Sequence, residues 1–323
     1  MPVSGAQSVN LPCASCCGET FKPALECEGF SFVRCVKCSL VQRNPRFSED
    51  EIIARYKSVY GNEYLSYELE NEDKFLNLQL LALADVKFGE LEKTLFSRSG
   101  KSGEFAENKF SLEKPLDLES TENKFSEKTM SVSGALAENP AVLDIGCATG
   151  ALLSHLRGRG WRVTGVEISP SAVYAQKERS LDVKNIPLEE CNFPSESFDV
   201  IHASHLIEHL NDPKSFLLEC SRIIKKDGTI FITTPNIAGF QARLFGSAWR
   251  SAIFDHLYLF SVKTLTKLLK TAGFKKIKCK TWGGIAAGAF PSGSFLKNLK
   301  KPADRLVKIF NCGDVMIIRA MKI

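Results

Sequence analysis

Val142-Leu143-Asp144-Ile145-Gly146-Cys147-Ala148-Thr149-Gly150 runs from an apolar strand pattern into a glycine-containing turn, and a helical pattern over residues 151–159 follows. Small residues between a strand and a helix let a ligand approach the backbone where a sheet opens. Glu167 stands 23 residues after Asp144 and ends the next strand pattern, residues 162–167. A carboxylate there can accept hydrogen bonds from both hydroxyls of a ribose. Read as Gly146-x-Ala148-x-x-Ala151, the turn is a degraded dinucleotide fingerprint. Asp144 points elsewhere: at the mouth of the loop it would repel a pyrophosphate and suit a cationic ligand. An ordinary strand, turn and helix without a ligand is the remaining alternative.

Outward from this stretch, short apolar runs alternate with helical patterns. A helix is predicted over residues 171–180, with Ser169 as its cap and Pro170 in its first turn. A buried strand at 198–203, a helix at 213–224 and a strand at 229–233 follow. Then come a helix at 262–272, a strand at 276–281 and a final segment at 314–322. Such alternation implies α/β architecture, with a parallel sheet covered on both faces. Upstream, Ser48-Glu49-Asp50-Glu51 reads as a capping box opening a helix to about Val59. A second helical stretch, roughly 67–96, carries Phe75, Leu76, Leu78, Leu80, Leu81 and Leu83 and is too hydrophobic to be solvated on all sides. Residues 97–139 are rich in Ser, Glu, Lys and Asn, and Glu-Asn-Lys-Phe-Ser occurs there twice. So polar a segment cannot bury enough apolar area to offset the entropy of ordering it, and it reads as a low-complexity flexible insertion. The expected organisation is a cysteine-rich module at 1–46, a helical connector at 47–96, the insertion at 97–139 and the α/β domain at 140–323.

The first stretch resembles the opening motif of class I S-adenosylmethionine-dependent methyltransferases of the methyltransferase-23 kind. Later blocks fall in that family's order: Glu167-Ile168-Ser169-Pro170, then Phe198-Asp199-Val200-Ile201, then His205-Leu206-Ile207-Glu208-His209-Leu210-Asn211-Asp212-Pro213. Arg222-Ile223-Ile224-Lys225-Lys226-Asp227-Gly228, Thr234-Pro235-Asn236, Asp255-His256-Leu257-Tyr258-Leu259-Phe260-Ser261 and Ala272-Gly273-Phe274 complete it. The resemblance covers about residues 140–323. It implies a Rossmann-like, doubly wound, mostly parallel seven-stranded sheet with an antiparallel last strand. The cofactor's ammonium and sulfonium suit Asp144, as dinucleotide phosphates would not. By resemblance, Asp144, Gly146, Cys147 (through its backbone) and Gly150 face the methionine part of S-adenosylmethionine. Glu167 holds the ribose, Ile168 covers one adenine face, Leu188 and Glu189 lie near the adenine, and Ser204 and His205 border the methyl group. Ala148 departs from the family, which most often has Gly there.

Methyl transfer from a sulfonium mostly requires alignment and exclusion of water, with a base only where the acceptor must lose a proton. His205, His209 and His256 are candidates, since histidine titrates near neutrality. We take His209 and His256 as candidate catalytic residues, against bland alternatives. Glu208-His209 could cap or pair at the start of a helix, and His256 could be a hydrogen-bonded core residue.

Six of the 11 cysteines lie before residue 39. Cys13-x-x-Cys16 and Cys35-x-x-Cys38 are separated by 18 residues, a spacing that suits a four-cysteine zinc site. Four protein ligands leave the ion no open position, so its role would be structural. Cys17 could replace Cys16, and buried free thiols are the alternative. The segment through Tyr60 also resembles the zinc-binding, zinc-ribbon-like region of some sugar C-methyltransferases. There it helps wall the acceptor site, which makes Tyr56, Tyr60 and Tyr64 candidate acceptor-facing aromatics beside the reading of ordinary packing.

A net charge of +5 over 323 residues is too small to demand nucleic acid. Residues 1–10 show no basic segment followed by an apolar run, and no stretch approaches the ~20 apolar residues that span a bilayer. The expectation is a cytoplasmic protein with reduced thiols. The favoured function is methylation of a small molecule or glycan, such as a nucleotide-linked sugar or a surface-polysaccharide intermediate. The alternatives are an RNA base methyltransferase and a non-catalytic S-adenosylmethionine-binding protein. Lys22, Arg34, Lys37 and Arg43 against Glu19, Glu26 and Glu28 make a poor basic surface for RNA. Residues 294–310 form a basic amphipathic stretch interrupted by Pro302, which would suit weak peripheral contact with anionic lipid or packing on its own domain. Oligomeric state is not legible.

Overall fold

The computed structural model describes residues 10–46, 62–99, 138–283 and 312–323. The helix expected at 48–59, Tyr56 and Tyr60, the repeats at 107–126 and the amphipathic stretch at 294–310 lie outside them.

Seven strands form the main sheet: β4 (Ala141–Ile145), β5 (Arg162–Val166), β6 (Val183–Lys184), β7 (Phe198–Ser204), β8 (Ile224–Pro235), β10 (Phe274–Trp282) and β11 (Val315–Lys322). Their spatial order is β10-β11-β8-β7-β4-β5-β6. The pairs among β6, β5, β4, β7 and β8 are parallel, and the last strand, β11, inserts antiparallel between β8 and β10. This is the doubly wound sheet that the sequence implies. Every residue of β4 is buried, as expected of a central parallel strand covered on both faces. β8 is longer than its apolar run: the polar residues 225–228 are carried by a register shift against β7 between Phe198 and Val200.

The helices begin where local chemistry allows. α4 (Ala151–Gly158) follows Gly150, whose φ of +78° is left-handed and whose missing Cβ would lie 2.4 Å from Leu181 Cδ1. α6 (Pro213–Ile223) is capped by Asp212, whose Oδ1 accepts from the N–H groups of Lys214 (2.9 Å) and Ser215 (3.0 Å). α8 (Val262–Thr271) starts with a Ser261–Thr264 capping box. α5 (Ser171–Glu178) has Pro170 at its N-cap position; Ser169 Oγ accepts the Ser171 N–H at 3.3 Å, in keeping with its expected capping role, while the Ser169 N–H donates to Glu167 Oε1 at 2.8 Å.

The stretch expected as one helix over 67–96 is three: α1 (Asn62–Glu70), α2 (Glu72–Asp85) and α3 (Phe88–Arg98). The break before α3 falls at Lys87, in left-handed conformation with φ 67°. Leu80, Leu83, Phe88 and Phe96 pack with Val142, Trp161 and Phe231 on one face of the main sheet. Glu92 fixes α3 there, accepting from Arg159 Nε (2.8 Å) and Nη2 (2.6 Å) and from Trp161 Nε1 (3.0 Å). Removing one partner of so buried a pair costs about 3–5 kcal/mol.

A second, four-stranded sheet holds β1 (Phe21–Cys27), β2 (Phe30–Cys35) and β3 (Val41–Arg43). Its fourth strand, β9 (Tyr258–Leu259), comes from the C-terminal half of the chain and pairs antiparallel with β3. α7 (Phe240–Phe245) lies between β8 and β9 in the chain. No helix among the described residues is long and apolar enough to cross a membrane.

Candidate functional site

From β4 the chain moves through α4 to β5 and β6 on one side, then returns to β7 and β8 on the other. The switch point therefore lies between β4 and β7, where the loops leaving their carboxyl ends diverge and ligands bind in folds of this kind. Residues 146–150 form one loop and residues 205–212 the other.

In the first loop, Gly146 (φ +74°) and Ala148 (φ 49°) are left-handed, so the small residue at 148 meets a conformational demand that Gly would meet without strain. A Cβ on Gly146 would stand 3.6 Å from Leu206, so the two loops face each other. Cys147 turns its side chain into a core with Leu153, Ala172 and Val183, leaving its backbone at the loop. Glu167 Oε2 accepts the Ala148 N–H at 3.1 Å while Oε1 accepts that of Ser169. Its carboxylate therefore joins the glycine loop to the end of β5. Ile168 beside it is 57% exposed. Leu188 is buried in the core and Glu189 is exposed at the surface.

Asp144 is 2% exposed, and its Oδ1 lies 2.7 Å from Nδ1 of His202, its register partner on β7. The sequence reading missed His202, because only strand register brings the two together. It also missed Glu72, which accepts from Thr149 Oγ1 (2.6 Å) and Arg179 (2.5 Å) and so ties α2 to the glycine loop.

The second loop starts with Ser204 at the end of β7 and with His205, which is left-handed (φ 51°) and has a half-exposed side chain. His209 is not at the start of a helix: residues 207–209 form a turn, and α6 begins only at Pro213. Glu208 lies beneath this turn, fully buried. Its Oε1 is 3.2 Å from His205 Nδ1, and its Oε2 accepts from Thr234 Oγ1 at 2.9 Å. Burial works to raise this carboxyl, but the His205 hydrogen bond and the charges of His205, His209 and His256 outweigh it and hold it down to about 2. The Leu257 and Tyr258 N–H groups donate to the Glu208 carbonyl at 2.8 and 3.1 Å. That draws in His256, whose ring lies edge to face with His209 at 4.7 Å. Burial, then His209, pushes His256 down to about 4, so its ring is neutral at physiological pH. His209 and His256 are thus brought together, with Glu208 as a third member that the sequence reading took only as a capping or pairing group.

In the cysteine-rich unit, both Cys-x-x-Cys turns end in a left-handed residue, Cys17 (φ 54°) and Ser39 (φ 67°). The Cys17 N–H returns to Cys13 O at 2.8 Å and the Ser39 N–H to Cys35 O at 2.9 Å. The sulfurs of Cys13, Cys16, Cys35 and Cys38 gather within 4.8 Å, with Cys13–Cys38 at 3.3 Å and Cys16–Cys35 at 3.5 Å. Burial raises the Cys13 and Cys38 thiols. Burial also acts on Cys35, but the Cys38 N–H and the Cys16 thiol lead the hydrogen bonds that lower it to about 7, making it the readiest thiolate. Cys17 is exposed and outside the cluster. Tyr64 packs on Tyr67 of α1, ring centroids 6.2 Å apart.

Residues 118–278 match the model of a family described as a methyltransferase domain. The ubiquinone biosynthesis O-methyltransferase of Glaesserella parasuis is 30% identical over 106 residues, 29% of this chain and 45% of that protein. That of Coxiella burnetii (strain Dugway) is 28% identical over 179 residues, 53% of this chain and 69% of that protein. The chain therefore spans less than half the length of the first of these relatives. An S-adenosylmethionine-dependent methyltransferase of Thermotoga maritima aligns with a TM-score of 0.44 at 24% identity, over 58% of this chain and 84% of that one. One from Archaeoglobus fulgidus aligns with a TM-score of 0.44 at 21% identity, over 57% and 86%.

Proposed function

Because this chain carries a class I S-adenosylmethionine-dependent methyltransferase domain, we propose that it transfers the sulfonium methyl group to a small-molecule acceptor bound over residues 205–212 and 250–258. A nucleotide-linked sugar or glycan hydroxyl is the acceptor class favoured here. The reading is supported by the likeness of residues 1–60 to the sugar C-methyltransferase module and by relatives that are small-molecule O-methyltransferases. The observation that carries it is the meeting of the two loops at the switch point, glycine loop on one side and Glu208, His209 and His256 on the other.

In this reading Gly146, the Cys147 backbone and Gly150 receive the methionine part, with Asp144 supplying negative charge from behind. Glu167, already fixed by two backbone N–H groups, offers its remaining lone pairs to the ribose. Ile168, Leu188 and Glu189 border the adenine, and Ser204 and His205 the methyl group. The cofactor supplies an electrophilic methyl; the protein aligns the acceptor with it and excludes water.

Cys13, Cys16, Cys35 and Cys38 would hold a structural zinc ion. Tetrahedral zinc–sulfur bonds of about 2.3 Å set sulfurs about 3.8 Å apart, which the observed spacings approach. Four thiolates that close would repel one another without a cation between them.

Calorimetry with S-adenosylhomocysteine tests the cofactor assignment. The protein is expected to bind it, and Glu167→Ala to bind it at least about tenfold more weakly, since charge-assisted hydrogen bonds are worth about 1.5–3 kcal/mol. Equal affinity in the two proteins would remove Glu167 from the site.

A further inference from the structure

We propose that Glu208, His209 and His256 hold a divalent transition-metal ion on the acceptor side of the cleft. The proposal rests on the methyltransferase reading of that cleft and adds a second metal centre to it, separate from the cysteine cluster. Three observations carry it.

The first is proximity: one ligand atom from each residue lies within 4.8 Å of the others, two of the three residues being buried. The second is orientation. A carbonyl can only accept, so Nδ1 of His209 donates to Asp255 O at 2.9 Å and Nδ1 of His256 donates to Ser251 O at 2.8 Å. With Nδ1 donating, the nitrogen of each ring that can offer a lone pair is Nε2. Glu208 is held in turn by Thr234 at Oε2 and by His205 at Oε1. Metal-binding histidines and carboxylates are oriented by outer partners of this kind. The third is the backbone: Leu257 and Tyr258 donate to the Glu208 carbonyl, so the segment carrying His256 is hydrogen-bonded to a residue that ligates beside it.

Two imidazoles and one carboxylate suit zinc, iron, cobalt or manganese rather than magnesium or calcium. Three protein donors leave coordination positions open, in contrast to four cysteines. An acceptor hydroxyl bound there becomes more acidic and passes its proton to water. Its oxygen then attacks the methyl carbon, and the carbon–sulfur electron pair returns to sulfur. Acceptor hydroxyl plus sulfonium become methyl ether, neutral thioether and one proton.

The test is titration with cobalt(II) of the full chain carrying one equivalent of zinc, held by the cysteine cluster alone, followed by absorption and magnetic resonance. Zinc in the cysteine cluster leaves cobalt only nitrogen and oxygen donors. We expect one equivalent to bind with histidine ligation and no thiolate charge-transfer band. His256→Ala and Glu208→Gln are each expected to weaken binding at least about 100-fold, consistent with loss of a ligand whose outer partners alone are worth about 10–100-fold. His209→Asn serves as a further variant should either of those fail to fold, as judged by circular dichroism. Absence of stoichiometric cobalt binding, or equal binding by folded variants, overturns the proposal and leaves a hydrogen-bonded Glu–His–His cluster. S-adenosylhomocysteine affinity measured on the same samples separates the two readings. Cofactor binding without cobalt sinks only the metal site, whereas cobalt binding without cofactor sinks the methyltransferase reading.

Discussion

The cysteine cluster and the Glu208–His209–His256 cluster both gather their donor atoms within 4.8 Å of one another and differ in almost everything else. The first draws four like donors from two similar turns close in sequence, and its backbone hydrogen bonds are local. The second draws unlike donors from two loops at the sheet's open end, each donor held by a carbonyl or a side chain of another segment. A full donor set closes on its ion and makes a scaffold; a partial one leaves room for a ligand. The two are also joined. β3 pairs with β9, with Gln42 opposite Tyr258. The Arg43 N–H donates to Leu257 O at 2.9 Å, and its guanidinium lies 4.1 Å over the Phe254 ring and donates to the Phe254 carbonyl. Arg46 donates to Asn211 O at 3.2 Å. The scaffold thus props the segment that carries His256.

Loss of the scaffold should have the largest effect. Cys13→Ser is expected to release one zinc equivalent and to abolish hydrogen-exchange protection of β1–β3. The melting temperature should fall by at least about 10 °C, because structural zinc contributes folding free energy directly. Retained protection in the zinc-free variant would make the cluster a set of buried thiols and break the comparison.

A smaller effect concerns two buried carboxylates with opposite surroundings. Histidines hold Glu208 down, whereas Glu68 on α1 is raised to about 7. There burial dominates, opposed by the hydrogen bond from Ser171 and reinforced by Glu167 and Glu72. The fold favours the protonated acid of Glu68. That contribution is complete below its ordinary value of 4.5 and is lost as pH rises through about 7. Glu68→Gln should therefore melt about 3 °C higher than the parent at pH 8 and within about 1 °C of it at pH 5. A variant that melts lower at pH 8 would show that the charged form is the stabilised one.

How much could be read in advance depended on distance along the chain. β4, the glycine loop and Glu167 lie in one strand–helix–strand unit whose apolar period and small residues are local, and the elements appear within a residue or two of expectation. The Cys-x-x-Cys turns are local as well. The pairing of Asp144 with His202 depends on strand register, the grip of Glu72 on Thr149 joins residues 77 positions apart, and Glu208 acquires meaning only when residues 255–258 fold back onto it. The single helix expected over 67–96 divides after Glu70 and again at the left-handed Lys87, breaks that the run of apolar residues does not mark. Leu80 and Leu83 face the sheet while Phe75, Leu78 and Leu81 remain exposed, a distinction that hydrophobicity alone does not record.

The most direct test is transfer of labelled methyl from S-adenosylmethionine into fractionated cell extract, with Glu167→Ala alongside. Label in the sugar-nucleotide, glycan or other small-molecule fraction, at least about tenfold lower with the variant, is the predicted result. Label confined to RNA would contradict the acceptor assignment, and no label in any fraction from a protein that binds the cofactor would contradict the claim that it is a methyltransferase.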